Sequence, residues 1–293
     1  LISQGGWENE DTPGRFARYC ARVTGELGDL IDSACTINEV NIPLVINRIH
    51  LAGLDLQELR FLQAAKPILA MPSSENVNSF MFTPSEKGRG IIVKAHKQAA
   101  EAIKSIKPDI AVGMTISMDD MQAIEGGEAV RDSVRHELED VYLEAARGDD
   151  FVGVQSYSRL RFGAEGRLAP EEGVELTQMG VEFWPEALEA TLRHANRIAS
   201  VPLIVTENGI ATTDDTRRIE YYRRAIAGVV NCLMDGMDIR GYYAWSAFDN
   251  YEWMLGYEPK FGIIEVDRST QERIIKPSAR WLGDIARANR IDK

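Results

Sequence analysis

Residues 203–209 read Leu-Ile-Val-Thr-Glu-Asn-Gly, a short apolar run that ends in a carboxylate beside an asparagine. Residues 35–39, Cys-Thr-Ile-Asn-Glu, have the same form much earlier in the chain. Short apolar runs with little alternation of polar and apolar residues are typical of strands buried on both faces of a parallel sheet. Both stretches therefore place a glutamate, Glu39 or Glu207, at the end of a predicted strand.

Such strands alternate with amphipathic helices along the chain. The predicted strands cover residues 33–37, 110–116, 151–157, 202–206 and 241–245. Apolar residues recur at helical spacing over residues 16–27, 92–106, 188–198, 219–233 and 281–288. This alternation indicates an α/β fold with a parallel sheet, in a single domain over residues 1–293. A doubly wound sheet and a closed barrel both remain open, although no glycine-rich nucleotide-binding motif follows the first strand.

The composition argues against several classes of protein. The 293 residues carry a formal net charge of −12, so the chain lacks the basic surface that nucleic acid binding needs. No apolar run approaches the ~18 residues of a membrane-spanning helix, so we expect no membrane partner. Three widely spaced cysteines and the absence of a signal peptide favour a cytoplasmic protein with reduced thiols.

The histidines show no metal-ligand spacing. They lie within or beside predicted helices, and we interpret them as surface or structural residues. We therefore expect no metal and no cofactor. The four histidines are His50, His96, His136 and His194, and the three cysteines are Cys20, Cys35 and Cys232.

Glu39 and Glu207 are the strongest candidates for chemistry. In a parallel α/β barrel, catalytic groups lie at the carboxyl ends of the strands and face one pocket. A carboxylate at the end of a buried strand is costly to desolvate unless it is paired or used. Glycoside hydrolysis needs two carboxyl groups across one bond, so the pair favours that reaction. A strand-end ion pair or a helix cap is the structural alternative for either glutamate.

The segment 241–253 supports a carbohydrate ligand. It reads Gly-Tyr-Tyr-Ala-Trp-Ser-Ala-Phe-Asp-Asn-Tyr-Glu-Trp and follows the last predicted strand. The indoles of Trp245 and Trp253 offer rigid apolar surface for the faces of sugar rings, and the carboxylate of Glu252 can accept bonds from hydroxyls. The alternative for Trp245 is a place in the core.

At these residues the sequence resembles glycoside hydrolase family 1, the β-glucosidases and β-galactosidases. Residues 36–40 look like the family's Thr-Phe/Leu-Asn-Glu-Pro motif, and residues 205–209 are similar to its Ile-Thr-Glu-Asn-Gly motif. Residues 241–253 resemble the segment at the family's eighth strand, and residues 5–7 resemble a Gly-Gly-Trp that follows its third strand. The resemblance implies a (β/α)8 barrel of the TIM type and hydrolysis of β-glycosides.

The resemblance also implies roles for individual residues. Glu39 would be the general acid/base, and Glu207 the nucleophile that forms a covalent glycosyl-enzyme, with the two carboxyl groups about 5–5.5 Å apart. Asn38 would hold the 2-hydroxyl of the sugar. Because a carboxylate at Glu252 would repel a 6-phosphate, we expect unphosphorylated glycosides as substrates. The other matching positions are Gln155, which replaces an asparagine, Tyr157, which would bond the nucleophile, and Trp245 and Trp253 of the glycone site.

The chain matches the part of the family's barrel that follows the third strand, so we expect about five of the eight βα units in this chain. The second-strand arginine that pairs with the nucleophile is among the missing groups. Five parallel strands cannot close a barrel, so the edges of the first and last strands would be open to association. Three alternatives for the chain follow. It is a fragment of a longer protein, or one half of a barrel that an N-terminal chain completes, or a self-associating, non-catalytic or sugar-binding remnant of such an enzyme. Val181 replaces a tryptophan of the leaving-group site, so the leaving group is not predicted.

Overall fold

The computed structural model describes residues 2–50, 60–72, 75–82 and 85–291. The chain divides into two compact units. The first contains Leu1–Ser117 and His136–Gly153, and the second contains Met118–Arg135 and Val154–Lys293. The single domain that we expect from the sequence remains a prediction.

The helices and strands alternate for most of the chain. The helices are α1 (Thr12–Leu27), α2 (Ile42–Val45), α3 (Arg60–Ile68), α4 (Glu86–Ile106), α5 (Glu128–Arg135), α6 (Val141–Ala145), α7 (Ala187–Ala199), α8 (Asp215–Met234) and α9 (Pro277–Ala288). The strands are β1 (Ser33–Cys35), β2 (Ala111–Ala123), β3 (Phe151–Gly163), β4 (Gly166–Arg167), β5 (Leu203–Asn208), β6 (Ile239–Ala244), β7 (Ile264–Val266) and β8 (Arg273–Ile275).

The first unit packs α1 and α4 together beside a parallel strand pair. Strand β1 pairs with β2, with Ser33 opposite Ala111 and Cys35 opposite Gly113. Helix α4 begins after Ser85, whose hydroxyl accepts a bond from the backbone of Gly88. Such a cap satisfies one of the free donors of the first turn. The core between these elements contains Cys20, Ala99, Ile103, Ile110 and Val112.

The second unit contains the last part of β2, most of β3 and all of β5 and β6. Strand β5 pairs with β6 in parallel, β4 pairs with β3 antiparallel, and β7 and β8 form a separate antiparallel hairpin. Helix α8 begins after Asp214, whose carboxylate accepts a bond from the backbone of Thr216 at 2.9 Å. It ends before Gly236, which has a φ of 83° that glycine adopts without strain. Helix α7 packs against α8.

The observed helices and strands confirm the predicted alternation, but several of them begin or end at other residues than predicted. All five predicted strands and all five predicted helices form. Strand β1 ends at Cys35, before the predicted limit at residue 37, so Asn38 and Glu39 lie in the turn that follows. Glu39 has a φ of 47°, which a strand cannot contain. Strand β2 continues seven residues beyond its predicted end, and the β7–β8 hairpin was not predicted.

Each unit contains one strand that lies at an end of the strand order. Strand β1 lies at the end of the order in the first unit, and β6 lies at the end in the second. Within the described ranges, no further strand pairs with the other edge of β6. The helices of the described residues include none that is long and apolar enough to cross a membrane.

Candidate active site

The carboxylate of Glu207 lies near the carboxyl end of β5 and receives two hydrogen bonds from β3. The side-chain amide of Gln155 donates to Oε1 at 2.7 Å, and the hydroxyl of Tyr157 donates to Oε2 at 2.6 Å. Residues two apart on a strand share one face, so Gln155 and Tyr157 reach the same carboxylate from one side of β3. The two donors fix the orientation of the Glu207 carboxylate.

Three influences act on the ionisation of Glu207. Burial is the largest, and it raises the pKa of this carboxyl above its ordinary value. The hydrogen bond from Tyr157 favours the charged form and lowers the pKa, whereas the negative charge of Glu252 raises it. The net pKa of Glu207 is raised. Burial also raises the pKa of Glu252.

Asn208, the residue after Glu207, anchors the end of β5. Its side chain is fully buried, and its amide donates to the backbone oxygen of Ser156 at 2.6 Å and to the Tyr221 hydroxyl at 3.2 Å. The hydroxyl of Tyr242 donates to its Oδ1 at 2.9 Å. Because these partners belong to β3, α8 and β6, Asn208 fixes the strand end from which Glu207 projects. No role for Asn208 was predicted from the sequence.

The segment after β6 contains the predicted glycone residues. Trp245 is partly buried, and its backbone N–H donates to the Asn208 oxygen at 2.8 Å. Trp245 is therefore not a fully buried core residue. The backbone N–H of Glu252 bonds the oxygen of Gly256 at 2.6 Å, and Trp253 is 66% exposed.

Asp249 holds this segment in place. Its carboxylate accepts a bond from the backbone of Gly262 at 2.9 Å and forms an ion pair with Lys276 at 3.0 Å. Both side chains are largely buried, which makes the pair less screened than a surface pair. The loop that carries Glu252 and Trp253 is therefore tied to the β7–β8 region.

In the first unit, Thr115 of β2 holds the turn that carries Asn38 and Glu39. The backbone N–H of Glu39 donates to Oγ1 of Thr115 at 2.7 Å, and the same hydroxyl donates to Oδ1 of Asn38 at 3.1 Å. Two residues on, the buried Asn41 exchanges bonds of 2.7 and 2.9 Å with the backbone of Ser117. Thr115 and Asn41 were not identified from the sequence.

His96 has a structural position next to this turn. It is fully buried, with Nδ1 2.7 Å from the Thr36 hydroxyl and Nε2 2.9 Å from the Asp149 carboxylate. All three cysteines are free thiols, as predicted. Among the residues that the structure describes, no group of three or more His, Cys, Asp or Glu side chains is placed to hold a metal ion.

The predicted site residues thus form two sets, one in each unit. The second unit brings Gln155 and Tyr157 to Glu207, with Glu252 near enough to affect its charge. The first unit holds Asn38 and Glu39 together through Thr115. The separation of the Glu39 and Glu207 carboxyl groups remains a prediction, as do the roles of all eight residues.

Comparison with known proteins decides the family. The sequence model of glycosyl hydrolase family 1 matches residues 152–291. A solved structure of the β-glycosidase BGL167 is 49% identical and has a TM-score of 0.94, with coverage of 100% of this chain and 71% of that one. The chain belongs to glycosyl hydrolase family 1. The resemblance and the partial (β/α)8 barrel expected from the sequence are therefore confirmed.

Curated relatives of this family member are longer than the chain. A β-galactosidase of Sulfolobus acidocaldarius is 30% identical over 98% of the chain, and a thermostable β-glucosidase B of Thermobispora bispora is 31% identical over 99% of it. The chain spans 61% and 66% of the lengths of these two relatives.

Proposed function

We propose that this family member acts as a retaining β-glycosidase on unphosphorylated β-glycosides, with Glu207 as nucleophile. The observation that carries the proposal is the pair of hydrogen bonds from Gln155 and Tyr157 to the two oxygens of Glu207. A nucleophilic carboxylate must be ionised and correctly oriented, and the Tyr157 bond favours the ionised form. The names of the curated relatives support the same reaction class.

The proposed reaction has two steps. In the first, an oxygen of Glu207 attacks the anomeric carbon, the glycosidic C–O bond breaks, and the carboxylic acid of Glu39 gives its proton to the leaving oxygen. In the second, Glu39 takes a proton from water, whose oxygen attacks the same carbon and releases Glu207. Two inversions give net retention, and they need the carboxyl groups about 5–5.5 Å apart.

The glycone would be held by polar and aromatic side chains. We assign the 2-hydroxyl to Asn38, the ring faces to Trp245 and Trp253, and the remaining hydroxyls to Glu252. A phosphate at O6 would add two negative charges beside Glu252, and like charges are costly in a desolvated site. Greater activity on a 6-phospho-β-glucoside than on the plain β-glucoside would contradict this assignment.

A chromogenic assay tests the nucleophile. The chain should hydrolyse 4-nitrophenyl β-D-glucoside, and Glu207→Ala should lower kcat by at least about a thousandfold, as expected for loss of a covalent catalyst. Glu265→Ala removes an exposed glutamate of β7 and is the matched control. Proton NMR of the first-formed sugar should show the β-anomer, whereas the α-anomer would contradict retention.

Leaving-group dependence tests Glu39 separately. A general acid helps poor leaving groups most, so Glu39→Ala should slow the first step far more for methyl β-D-glucoside than for a dinitrophenyl β-D-glucoside. Equal losses on both substrates would contradict the role of Glu39.

We further propose that the open strand edges are covered by another chain, either a second copy or a complementing N-terminal segment. The unpaired edge of β6 among the described residues supports this proposal. Addition of the N-terminal third of a family relative in trans should raise turnover. A bound sugar with no turnover under either condition would favour the non-catalytic alternative. The three free thiols favour a cytoplasmic location.

A further inference from the structure

The hydroxyl of Tyr221, on α8, lies behind the proposed nucleophile and takes no part in the steps above. It donates to the backbone oxygen of Tyr157 at 2.7 Å, and it accepts a bond from the side-chain amide of Asn208 at 3.2 Å. Tyr157 is the residue that donates to Glu207, and Asn208 is the residue that follows Glu207. One hydroxyl therefore contacts the residues on both sides of the hydrogen bond that orients the Glu207 carboxylate.

These contacts belong to a series of hydrogen bonds that runs in one direction, which we call the Tyr221 network (Tyr242, Asn208, Tyr221 and the backbone oxygen of Tyr157). The Tyr242 hydroxyl donates to Oδ1 of Asn208 at 2.9 Å, and the Asn208 amide donates to the Tyr221 hydroxyl. The Tyr221 hydroxyl then donates to Tyr157. Asn208 and Tyr221 are both fully buried, so water does not compete for these bonds. In such a series each bond polarises the next and strengthens it.

The Tyr221 hydroxyl keeps its proton over the pH range in which a carboxyl group titrates. Burial is the largest influence, and it raises the pKa of Tyr221 far above the ordinary value, against the smaller lowering effect of the Asn208 bond. Smaller effects that also raise this pKa come from three neighbouring groups, Tyr222, Glu186 and Asp119. Burial raises the pKa of Tyr242 in the same way. Both hydroxyls therefore remain donors while Glu207 gains or loses its proton.

Packing fixes the position of the Tyr221 ring. The ring lies edge to face with those of Phe183 and Tyr222, at centroid distances of 5.8 and 6.2 Å. Helix α8 is itself held by the buried Arg218, whose Nη2 donates to the backbone oxygen of Lys260 at 2.7 Å. The hydroxyl therefore meets β3 from a fixed point. A phenylalanine at this position would keep the ring contacts and remove only the hydroxyl.

We propose that Tyr221 is a positioning residue for the nucleophile, which acts by holding Tyr157 where its hydroxyl reaches the Glu207 carboxylate. This inference rests on the proposed function, because that function makes Glu207 the nucleophile. Loss of the Tyr221 hydroxyl would let this part of β3 shift, and a hydrogen bond weakens steeply as its geometry departs from the optimum. Glu207 would then lose part of the stabilisation that Tyr157 gives to its charged form.

The pH dependence of kcat/KM for 4-nitrophenyl β-D-glucoside tests this role. In Tyr221→Phe the acid limb should move to higher pH by about 0.5 unit, because the bond from Tyr157 is weakened and not removed. Tyr222→Phe is the matched control, since it removes a buried hydroxyl of α8 that lies 3.5 Å from the backbone oxygen of Trp245. It should leave the acid limb in place. A purely structural role of Tyr221 would lower activity at every pH alike, and an unchanged limb in Tyr221→Phe would overturn the proposal.

A double variant tests the route through Tyr157. If Tyr221 acts through the Tyr157 hydroxyl, its effect must vanish when that hydroxyl is absent. Tyr221→Phe should therefore give no further shift of the acid limb in the Tyr157→Phe background, and an equal shift in both backgrounds would contradict the proposal. Should Tyr221→Phe fail to fold, Tyr242→Phe decides, because it removes the first donor of the same network. Its acid limb should also move to higher pH, and an unchanged limb would overturn the proposal.

A direct titration separates this proposal from the proposed function. In protein labelled with ¹³C at the glutamate carboxyl groups, the resonance of Glu207 is the one absent from Glu207→Gln. Its midpoint should rise by about 0.5 pH unit in Tyr221→Phe and stay in place in Tyr222→Phe. If the midpoint rises while aryl glucosides are not hydrolysed, the proposed function fails and the effect of Tyr221 on Glu207 stands. If aryl glucosides are hydrolysed and neither the midpoint nor the acid limb moves, the positioning role fails alone.

Discussion

The charge of Glu207 depends on groups that act in opposite directions. Burial and the charge of Glu252 favour the protonated form, while the Tyr157 hydroxyl favours the carboxylate. The sequence predicted Glu207 from its place at the end of an apolar run. It could not predict the balance between these effects, because burial and distance are set by the packing of three separate segments.

Tyr157→Phe should move the acid limb of the pH profile to higher pH. The nucleophile acts when ionised, and loss of the Tyr157 hydrogen bond, which lowers the pKa of Glu207, raises that pKa further. A hydrogen bond to a charged group contributes roughly 1.5–3 kcal/mol, which corresponds to about one to two pH units. The measurement is kcat/KM for 4-nitrophenyl β-D-glucoside as a function of pH.

Tyr19→Phe, on the exposed face of α1, is the control for this substitution. It should leave the acid limb in place. An acid limb in Tyr157→Phe that stays unchanged or moves to lower pH would show that the Tyr157 bond does not stabilise the charged carboxylate.

Whole elements were more predictable than the contacts between them. The apolar run at 203–206 and the helical stripe at 219–233 identified β5 and α8, because burial imposes these patterns locally. The turn at Glu39 could not be predicted, since its left-handed backbone depends on the Thr115 hydroxyl, which lies 76 residues further along the chain.

Asn208 connects three elements, so its removal should cost stability as well as activity. Asn208→Ala would leave the backbone oxygen of Ser156 and the hydroxyl of Tyr242 buried without their present partner. Each unsatisfied buried group costs about 1–3 kcal/mol, so for the two groups we expect a loss of about 2–6 kcal/mol in the free energy of unfolding. Urea denaturation measures this loss.

Asn231→Ala provides a comparison on α8, where the asparagine amide bonds Glu189 at the surface. Surface substitutions of this kind change stability by less than about 0.5 kcal/mol. If the two variants lose the same stability, the anchoring role of Asn208 is wrong.

At the scale of the whole molecule, the second unit exposes several large apolar side chains. The exposed fractions of the side chains are 62% for Tyr243, 59% for Tyr251, 62% for Met254 and 52% for Ile275. Tyr243 lies on β6, whose outer edge has no strand partner among the described residues. An unpaired strand edge promotes association with another strand.

The chain should therefore self-associate through β6, and the association should weaken when the edge is charged. In Tyr243→Lys the dissociation constant should rise at least tenfold, a change of about 1.4 kcal/mol, because a lysine on an edge strand resists pairing with another strand. Leu30→Lys changes an apolar residue that is 82% exposed in the first unit and should have no such effect. Sedimentation velocity at increasing protein concentration measures both variants. A monomer at every concentration in the unsubstituted chain, or equal weakening by both lysines, would show that β6 is not the associating edge.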